Sequence, residues 1–417
     1  MRCERLVAGE RTVDELRALT AGAESVRESV GEIIEQVRAH GDQALLDYTR
    51  RIDIGGGDPR PLQITDEELD AAAAALDPAV GHALERAIEN LEQVMVGSVE
   101  RERSIELGVS RVTVRRAPVT RAAVYVPGGR APYPSTVVMG VTPARMAGVE
   151  HIVVCSPPGR DGEVDAAILA AARLTGATAV YRMGGAQAVA ALAYGTESIP
   201  AVDVIVGPGN LYVQEAKRRV SGQVGIDGFA GPSDLVVIAA ADADPELVAL
   251  DLGAQAEHGP GTLVIAASDS PGLLDALEQR LERAEVTGAV AALVRTRDPE
   301  DGLALAEAFA PEHLQLVGET AEALADRVTR AGCLFVGANA GTAFGDYIVG
   351  SNHILPTGGA ARFASGLTPE HFTRRFNEVR IDDATELAKS AVPLARAEGF
   401  ELHARSMEAR IRENDPR

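Results

Sequence analysis

The feature that most restricts the fold is a series of nine short runs, rich in valine, isoleucine and alanine, between residues 122 and 336. Glycine- and proline-containing turns and alanine-rich helical stretches separate the runs. Apolar runs that alternate with helices are typical of parallel strands covered on both faces. Nine strands are many for one sheet, and Gly231-Pro232-Ser233 interrupts the series, so we predict an α/β fold with two doubly wound lobes. The predicted strands are 122–126, 151–156, 179–182, 202–206, 234–239, 262–267, 291–295, 314–317 and 333–336.

Both ends of the chain carry helical patterns instead. From Thr12 to about Glu100 the apolar residues recur three and four positions apart, and charged helical stretches return after Leu367. We therefore predict a mostly helical opening quarter and a C-terminal helical appendage that packs against a partner subunit. A chain of 417 residues also exceeds the size of one hydrophobic core.

Composition argues against several classes of partner. The formal charge of −21 would repel nucleic acid and anionic membrane surfaces, so we expect neither as a partner. Cys3, Cys155 and Cys333 are an odd number of distant cysteines, which suits buried, inert thiols in a reducing compartment. The N-terminus is charged where a signal peptide is apolar, and no apolar stretch approaches the roughly 20 residues of a membrane span. We expect a cytoplasmic protein.

Two segments carry candidate metal ligands. Gln255 and His258 lie three apart at the end of an apolar helical stretch, so one helix face could present both. Asp346 and His353 follow in a glycine-rich segment that resembles a loop. An amide, imidazoles and a carboxylate suit zinc or a similar divalent cation. The alternatives are a surface histidine and, at Asp346 and Asn352, ordinary turn and capping roles.

Glu312-His313 is the candidate proton-transfer pair. It stands at the entrance of a predicted strand and offers two proton acceptors of different affinity. The alternative is a charged pair on an exposed loop.

Three glycine-rich turns are candidate cofactor contacts. They begin at Val126, Met183 and Val206, and each follows a predicted strand and precedes a predicted helix. Carboxyl ends of parallel strands and helix N-termini bind phosphate-bearing ligands. Tyr125, Gln187 and Asn210 lie at these turns, whose glycines could alternatively serve turn geometry alone. Neither the Gly-x-Gly-x-x-Gly fingerprint nor the nucleotide-triphosphate loop is present.

Together these motifs resemble the histidinol dehydrogenase family over nearly the whole chain. They run in family order and are weakest in the first hundred residues. The matching stretches are YVPGGRAPYPSTVVM from Tyr125, TPARMAGVEHIVVCSPP from Thr142, MGGAQAVAALAYGTESIP from Met183, VGPGNLYVQEAK from Val206, GIDGFAGPSD from Gly225, QAEHGP from Gln255, APEHLQL from Ala310, GDYIVGSNHILPTGGAARFASGL from Gly345 and EGFELHARS from Glu398.

The resemblance implies an enzyme of histidine biosynthesis that oxidises L-histidinol through L-histidinal to L-histidine, with two NAD per turnover and one zinc per subunit. It implies Glu312 and His313 as the catalytic pair, and NAD contacts at Tyr125, Gln187 and Asn210. The implied zinc ligands are Gln255, His258, Asp346 and His403. The implied substrate contacts are Ser233, Gln255, His258, His313, Asp346, His353, Glu398 and His403.

The resemblance also implies two Rossmann-like lobes and an intertwined homodimer in which a C-terminal arm completes the neighbouring site. We expect residues 1–23 to form a helical segment and residues 24–124 and 235–366 to form the larger lobe, with the metal and acid/base residues. Residues 125–234 should form the NAD lobe, and residues 367–417 the helical arm.

The chain departs from the family pattern at three places. Gly261 and Leu263 replace an acidic and an amide residue after His258, Asp234 replaces a glutamate, and the segment 368–372 differs. These differences leave two alternatives: a paralogous zinc- and NAD-dependent dehydrogenase of another small polar alcohol, and a non-catalytic binding protein.

Overall fold

A computed structural model describes residues 1–20, 26–98, 102–128, 131–228, 231–285 and 287–411. Gly129, Arg130, Phe229 and Ala230, which belong to the family-like stretches above, lie outside these residues. The strands are β1 (Arg2–Val7), β2 (Arg103–Leu107), β3 (Ser110–Pro118), β4 (Arg121–Tyr125), β5 (His151–Ser156), β6 (Ala179–Arg182), β7 (Val204–Val206), β8 (Gly225–Ile226), β9 (Asp234–Ala239), β10 (Leu263–Ser268), β11 (Val290–Arg295), β12 (His313–Val317), β13 (Cys333–Val336) and β14 (Thr373–Ile381).

The helices are α1 (Thr12–Ala18), α2 (Arg27–Tyr48), α3 (Asp66–Ala75), α4 (Pro78–Met95), α5 (Pro134–Ala147), α6 (Ala166–Thr175), α7 (Gly185–Tyr194), α8 (Leu211–Val220), α9 (Pro245–Ala256), α10 (Pro271–Arg283), α11 (Pro299–Phe309), α12 (Glu319–Glu322), α13 (Thr342–Tyr347), α14 (Thr385–Ala397) and α15 (Glu401–Glu408). Several begin at an aspartate, serine or asparagine whose side chain accepts a backbone N–H of the first turn, as Asp244 does for α9. Among the described helices, none has the length and apolarity needed to cross a membrane.

Two all-parallel sheets contain the strands predicted from the sequence. One has the order β6-β5-β4-β7-β8 and the other the order β1-β11-β10-β9-β12-β13. All nine predicted strands are present within two residues of their predicted ends, and the division between the sheets falls at the predicted break before β9. The α/β class with parallel sheets is therefore confirmed.

Each sheet is buried on both faces. In β9, Leu235 and Val237 join one apolar cluster, whereas Val236 and Ile238 join another on the opposite face. Successive strand residues point to opposite faces, so a continuous apolar run is what a strand with two covered faces requires. Helices α2, α7 and α8 pack together beside the five-stranded sheet, and α3, α4, α5 and α6 form another connected group.

A second compact unit comprises Val99–Pro118 and Thr373–Arg417. In it β14 and β2 pair antiparallel with either edge of β3, and α14 packs on α15. The remainder of the chain, Met1–Ser98 and Val119–Phe372, forms the first unit and contains both parallel sheets.

Several predictions of local structure were wrong. Residues Arg2–Val7 form edge strand β1 rather than part of a helical segment, and Thr373–Ile381 form β14 within the predicted helical arm. Both strands pair with segments that are distant in sequence, which local periodicity does not reveal.

The prediction that residues 24–124 belong with residues 235–366 was also wrong. Helix α2 packs against α7 and α8, α3 packs against α6, and β4 lies in the five-stranded sheet. The hairpin of β2 and β3 belongs instead to the second unit. Helical periodicity predicts that one face of a helix is buried but not which sheet buries it, so the sequence did not reveal these partners.

The glycine turn after β7 generates a stability prediction. Gly207 has a φ of +111°, and a Cβ there would overlap the backbone oxygen of Tyr125. Gly207→Ala should therefore lower the free energy of unfolding by about 3 kcal/mol or more, through both strain and steric overlap. Gly222→Ala is the matched control, because its φ is +100° but its Cβ would meet nothing within 4 Å. It should cost only about 1 kcal/mol. Equal losses in chemical denaturation would contradict the close approach at Gly207.

Candidate functional site

The amino ends of the six-stranded sheet gather the predicted acid/base residues. Leu235 in β9 pairs with His313 in β12, and His313 pairs with Cys333 in β13. In a parallel sheet the residues that begin adjacent strands lie at the same edge. Asp234 and Glu312 therefore lie side by side where β9 and β12 begin.

His313 lies at the centre of this edge. Its Nε2 is 3.9 Å from Oε1 of Glu312 and 4.0 Å from Oδ1 of Asp346, and only 2% of its side chain is exposed. Burial, aided by the charges of His258 and His353, lowers the pKa of His313 to about 3. The imidazole is therefore neutral at physiological pH and has a free lone pair that can accept a proton.

Glu312 is a buried carboxyl group with an unusually high affinity for protons. Burial, followed by the charge of Asp234, raises its pKa well above the ordinary value, although hydrogen bonds from the backbone of Asp234 and from Ser233 oppose the shift. General acid/base catalysis is most effective when the pKa of the group lies near the operating pH, and burial shifts the pKa of Glu312 in that direction. The predicted proton-transfer pair is thus adjacent and buried, rather than an exposed loop pair.

Asp346 lies in the short helix α13, not in the predicted loop. Burial alone raises the pKa of Asp346 to about 7. Among the described residues, neither Asp346 nor Glu312 forms an ion pair with a lysine or arginine; the basic side chain within 4 Å of both is the neutral imidazole of His313. Two buried carboxyl groups without a permanent positive partner fit a bound cation.

Gln255 and His258 occupy the end of α9 and the turn that follows it. The prediction that both lie on one helix face was wrong, because α9 ends at Ala256 and His258 belongs to the turn. Gln255 is 2% exposed, and its Nε2 is buried without a hydrogen-bond partner in the described part of the chain. Burial lowers the pKa of His258, which keeps its ring neutral and available to a metal.

His353 and Asn352 connect this edge to the five-stranded sheet. The Nδ1 of His353 lies 2.9 Å from the backbone oxygen of Asp346, and its Nε2 lies 3.1 Å from Oγ1 of Thr136 in α5. Asn352 donates to the backbone oxygen of Met139, also in α5, at 2.8 Å. Asn352 therefore links its loop to α5 rather than capping a helix, and His353 contacts both α5 and the backbone of α13.

The predicted cofactor residues lie together at the carboxyl ends of the five-stranded sheet. Tyr125 ends β4, and its hydroxyl accepts a hydrogen bond from the N–H of Gly185, the first residue of α7, at 3.0 Å. Gln187 is buried in the first turn of α7. Asn210 precedes α8, and its Oδ1 accepts from the N–H groups of two residues in the first turn of that helix. Two helix N-termini, of the kind that favour anionic ligands, thus lie at the same end of this sheet.

Sequence reasoning missed three residues that brace this edge. Asp53, at the end of a π-helical turn, accepts a hydrogen bond from Nε2 of Gln187 at 3.4 Å. The N–H of Gly207 donates to Asp227 at 2.7 Å, and the buried Lys217 donates to the backbone oxygen of Gly207 at 3.0 Å while it pairs with Asp227. The local sequence around these three charged residues does not indicate that they hold the cofactor turns in place.

A further bridge joins the cofactor edge to the acid/base edge. Gln214 in α8 donates both to the backbone oxygen of Gly209, at 2.9 Å, and to that of Gly231, at 3.4 Å. Gly231 leads directly into Ser233 and β9. The turn that carries Asn210 is therefore tied to the segment that positions Asp234.

Glu398 and His403 lie in the second unit. Glu398 follows α14, His403 is in α15, and both line one pocket with five neighbours. The His403 ring stacks on Phe400, with centroids 5.0 Å apart. Within the described residues no cluster of three or more histidine, cysteine, aspartate or glutamate side chains is arranged to hold a metal ion.

Comparison with known proteins decides the family. The sequence profile described as histidinol dehydrogenase matches residues 17–411. The chain belongs to the histidinol dehydrogenase family. The prediction of a histidinol dehydrogenase, an oxidoreductase of histidine biosynthesis, is thereby confirmed.

Individual members of the histidinol dehydrogenase family match over most of their length. The chain is 43% identical to the histidinol dehydrogenase of Natronomonas pharaonis over 94% of this chain and 95% of that protein. It is 44% identical to that of Parasynechococcus marenigrum over 95% and 93%, respectively. The crystal structure of histidinol dehydrogenase from Elizabethkingia anophelis superimposes with a TM-score of 0.89, at 30% identity, and covers 98% of both chains.

The departures from the family pattern fit the fold. Gly261 has a φ of +93° in the turn before β10, and Leu263 is a buried core residue. In the segment 368–372 the N–H of Thr368 donates to Nδ1 of His371 at 3.1 Å, and Phe372 is fully buried. Two of the three departures therefore have local structural roles.

Asp53 generates a pH-dependent prediction. Burial raises its pKa from 3.8 to about 6. Above pH 6 the native state holds a buried charge that the unfolded chain exposes to water, and this lowers the free energy of unfolding. The destabilisation is present at high pH and disappears as the pH falls through 6 towards 3.8. Asp53→Asn should therefore raise the free energy of unfolding by about 1 to 2 kcal/mol at pH 8 and by much less at pH 5.

The control for this experiment is Asp58→Asn, because the Asp58 side chain is fully exposed. Denaturation at both pH values should leave its difference from the native protein nearly constant. A gain for Asp53→Asn that is the same at pH 5 and pH 8 would rule out the buried charge.

Proposed function

We propose that this chain catalyses the zinc-dependent, NAD-linked, four-electron oxidation of L-histidinol through L-histidinal to L-histidine. The observation that carries the proposal is the buried group of His313, Glu312 and Asp346, tied by Gln214 and His353 to the edge that carries the cofactor turns. Such an arrangement would put proton acceptors beside the nicotinamide ring of a bound NAD. Histidinol oxidation requires both.

Gln255, His258 and Asp346 would hold the zinc ion, with His403 supplied by a second copy of the chain. The buried amide of Gln255 through its oxygen, the neutral ring of His258 and the buried carboxyl group of Asp346 fit this donor set. When bound, zinc would act as a Lewis acid that holds the substrate's amino and imidazole nitrogens.

His313 would accept the proton of the substrate alcohol at Nε2 as the carbinol hydride passes to the nicotinamide ring. Its neutral state prepares it for this step. For the second oxidation, Glu312 would take a proton from water as the water oxygen bonds to the aldehyde carbon, and the protonated His313 would return its proton to the carbonyl oxygen, which gives the hydrate and a neutral His313. The hydrate carbon would then release its hydride to a second NAD while one hydroxyl proton passes to His313, which leaves the carboxylic acid product.

Tyr125, Gln187 and Asn210 would contact NAD in a Rossmann-like lobe that lacks the usual fingerprint. Their position at the carboxyl ends of parallel strands, beside the N-termini of α7 and α8, supports the assignment. We assign the NAD lobe to residues 125–234 and the metal and acid/base residues to the lobe of residues 235–366.

Ser233, His353 and Glu398 would contact the substrate, together with the zinc ligands and His313. Ser233 hydrogen-bonds Glu312, and His353 lies against Asp346. Glu398 and His403 share one pocket in the second unit, which fits an arm that reaches into the neighbouring subunit of an intertwined homodimer. We place the enzyme in the cytoplasm, where its three free thiols would stay reduced.

The proposal is tested by measuring product stoichiometry and metal dependence in one preparation. The enzyme should form two NADH per L-histidine from L-histidinol, lose activity on chelation and regain it with zinc. If the chain is instead a paralogous dehydrogenase, the zinc-loaded protein will reduce NAD with another small polar alcohol and not with L-histidinol. That outcome would overturn the substrate assignment.

Two variants separate the base from the metal ligand. His313→Ala should slow hydride transfer by about two to four orders of magnitude with nearly normal zinc content, because it removes a base and not a ligand. His403→Ala should reduce bound zinc. Mixed dimers of His403→Ala and Glu312→Gln should recover part of the activity, since one of the two sites would be intact. No recovery, with subunit exchange verified, would argue that the arm serves its own subunit.

A further inference from the structure

Asp234 and Glu312 form a reciprocal pair of hydrogen bonds. The N–H of Glu312 donates to Oδ1 of Asp234 at 2.7 Å, and the N–H of Asp234 donates to Oε2 of Glu312 at 3.1 Å. The two residues are 78 positions apart in sequence and immediately adjoin the paired residues Leu235 and His313. Each side-chain carboxylate thus accepts a backbone N–H that would otherwise bond to a backbone carbonyl of the neighbouring strand, at the point where the two parallel strands begin.

This pair fixes one oxygen of Glu312 and leaves the other directed elsewhere. Oε2 is held by the backbone of Asp234, whereas Oε1 lies 3.9 Å from Nε2 of His313. A glutamate side chain has three rotatable bonds and several rotamers of similar energy. Anchoring its backbone N–H and one carboxylate oxygen selects one of these rotamers.

The anchoring residue, Asp234, is itself a buried part of the sheet. Asp234 is the first residue of β9, is 4% exposed and pairs with Leu263 of β10. The backbone N–H of Gly358 also donates to its carboxyl group. Asp234 therefore belongs to the sheet, and a displacement of its side chain would be transmitted to Glu312.

We propose that Asp234 is a positioning residue, which holds the Glu312 carboxylate in the orientation needed to activate water for the second oxidation. The inference rests on the proposed function, in which Glu312 acts on water after the aldehyde has formed. Asp234 does not take part in proton transfer. Its loss should affect the steps that depend on Glu312 more than the step that depends on His313 alone.

The test measures single-turnover NADH formation separately from L-histidinol and from L-histidinal. Asp234→Ala should slow the second oxidation by about tenfold to a hundredfold and the first by less than about threefold. Asp234→Asn keeps an oxygen that can accept from the N–H of Glu312, so it should restore most of the second rate. It also carries the test if the alanine variant does not fold.

A double-mutant cycle distinguishes positioning from general weakening of the fold. In a Glu312→Gln background, Asp234→Ala should lower the second rate by less than about threefold further, because the group it positions is already gone. Full multiplication of the two effects, or an equal loss in both oxidations, would overturn the proposal.

Asp203→Ala is the matched control. Asp203 accepts the N–H groups of Thr120 and Arg121, both at 2.9 Å, at the amino end of the five-stranded sheet. It links adjacent parallel strands as Asp234 does, but at the opposite edge from the cofactor turns. Its loss should leave the ratio of the two rates unchanged, and a changed ratio would count against a specific role for Asp234.

The experiment also separates this inference from the proposed function. If Glu312→Gln slows both oxidations equally, the assignment of Glu312 to water activation fails, whatever Asp234→Ala does. If Glu312→Gln slows mainly the second oxidation and Asp234→Ala does not, only the positioning role fails.

Discussion

The structure depends on a cluster of buried carboxyl groups around the point where β9 and β12 begin. Glu312 and Asp346 both lie within 4.0 Å of Nε2 of His313, a ring that burial keeps neutral. Burying carboxylates without a permanent cationic partner is costly, and proteins tolerate it mainly at sites that bind cations or transfer protons. The backbone hydrogen bonds between Asp234 and Glu312 hold part of this charge in place.

The second constraint is that the carboxyl ends of the strands in one sheet lie near the amino ends of the strands in the other. The cofactor turns follow the carboxyl ends of the five-stranded sheet, whereas the acid/base residues precede the amino ends of the six-stranded sheet. Gln214 and the contact of His353 with Thr136 tie these edges together. The general rule that ligands bind at carboxyl ends therefore describes the cofactor side but not the proton-transfer side.

Sequence patterns predicted the parallel strands well because a strand buried on both faces needs a continuous apolar run. They missed β1 and β14, which are polar edge strands whose partners are distant in sequence. The pairing of Glu312 with His313 could be predicted because the two are neighbours in sequence, whereas the approach of Asp346 to His313 was suggested only by residue type. Asp53 and the bond between Asp234 and Glu312 were invisible, since they arise only when distant segments meet.

The central claim is that this buried charge forms part of a cation site completed by a second subunit. Anomalous diffraction at the zinc edge, from crystals of the zinc-loaded enzyme, tests it most directly. One peak per subunit should lie about 2.0 to 2.3 Å from the side chains of Gln255, His258 and Asp346, and from His403 of the other subunit. A peak elsewhere, or none near Asp346 in fully zinc-loaded protein, would contradict it.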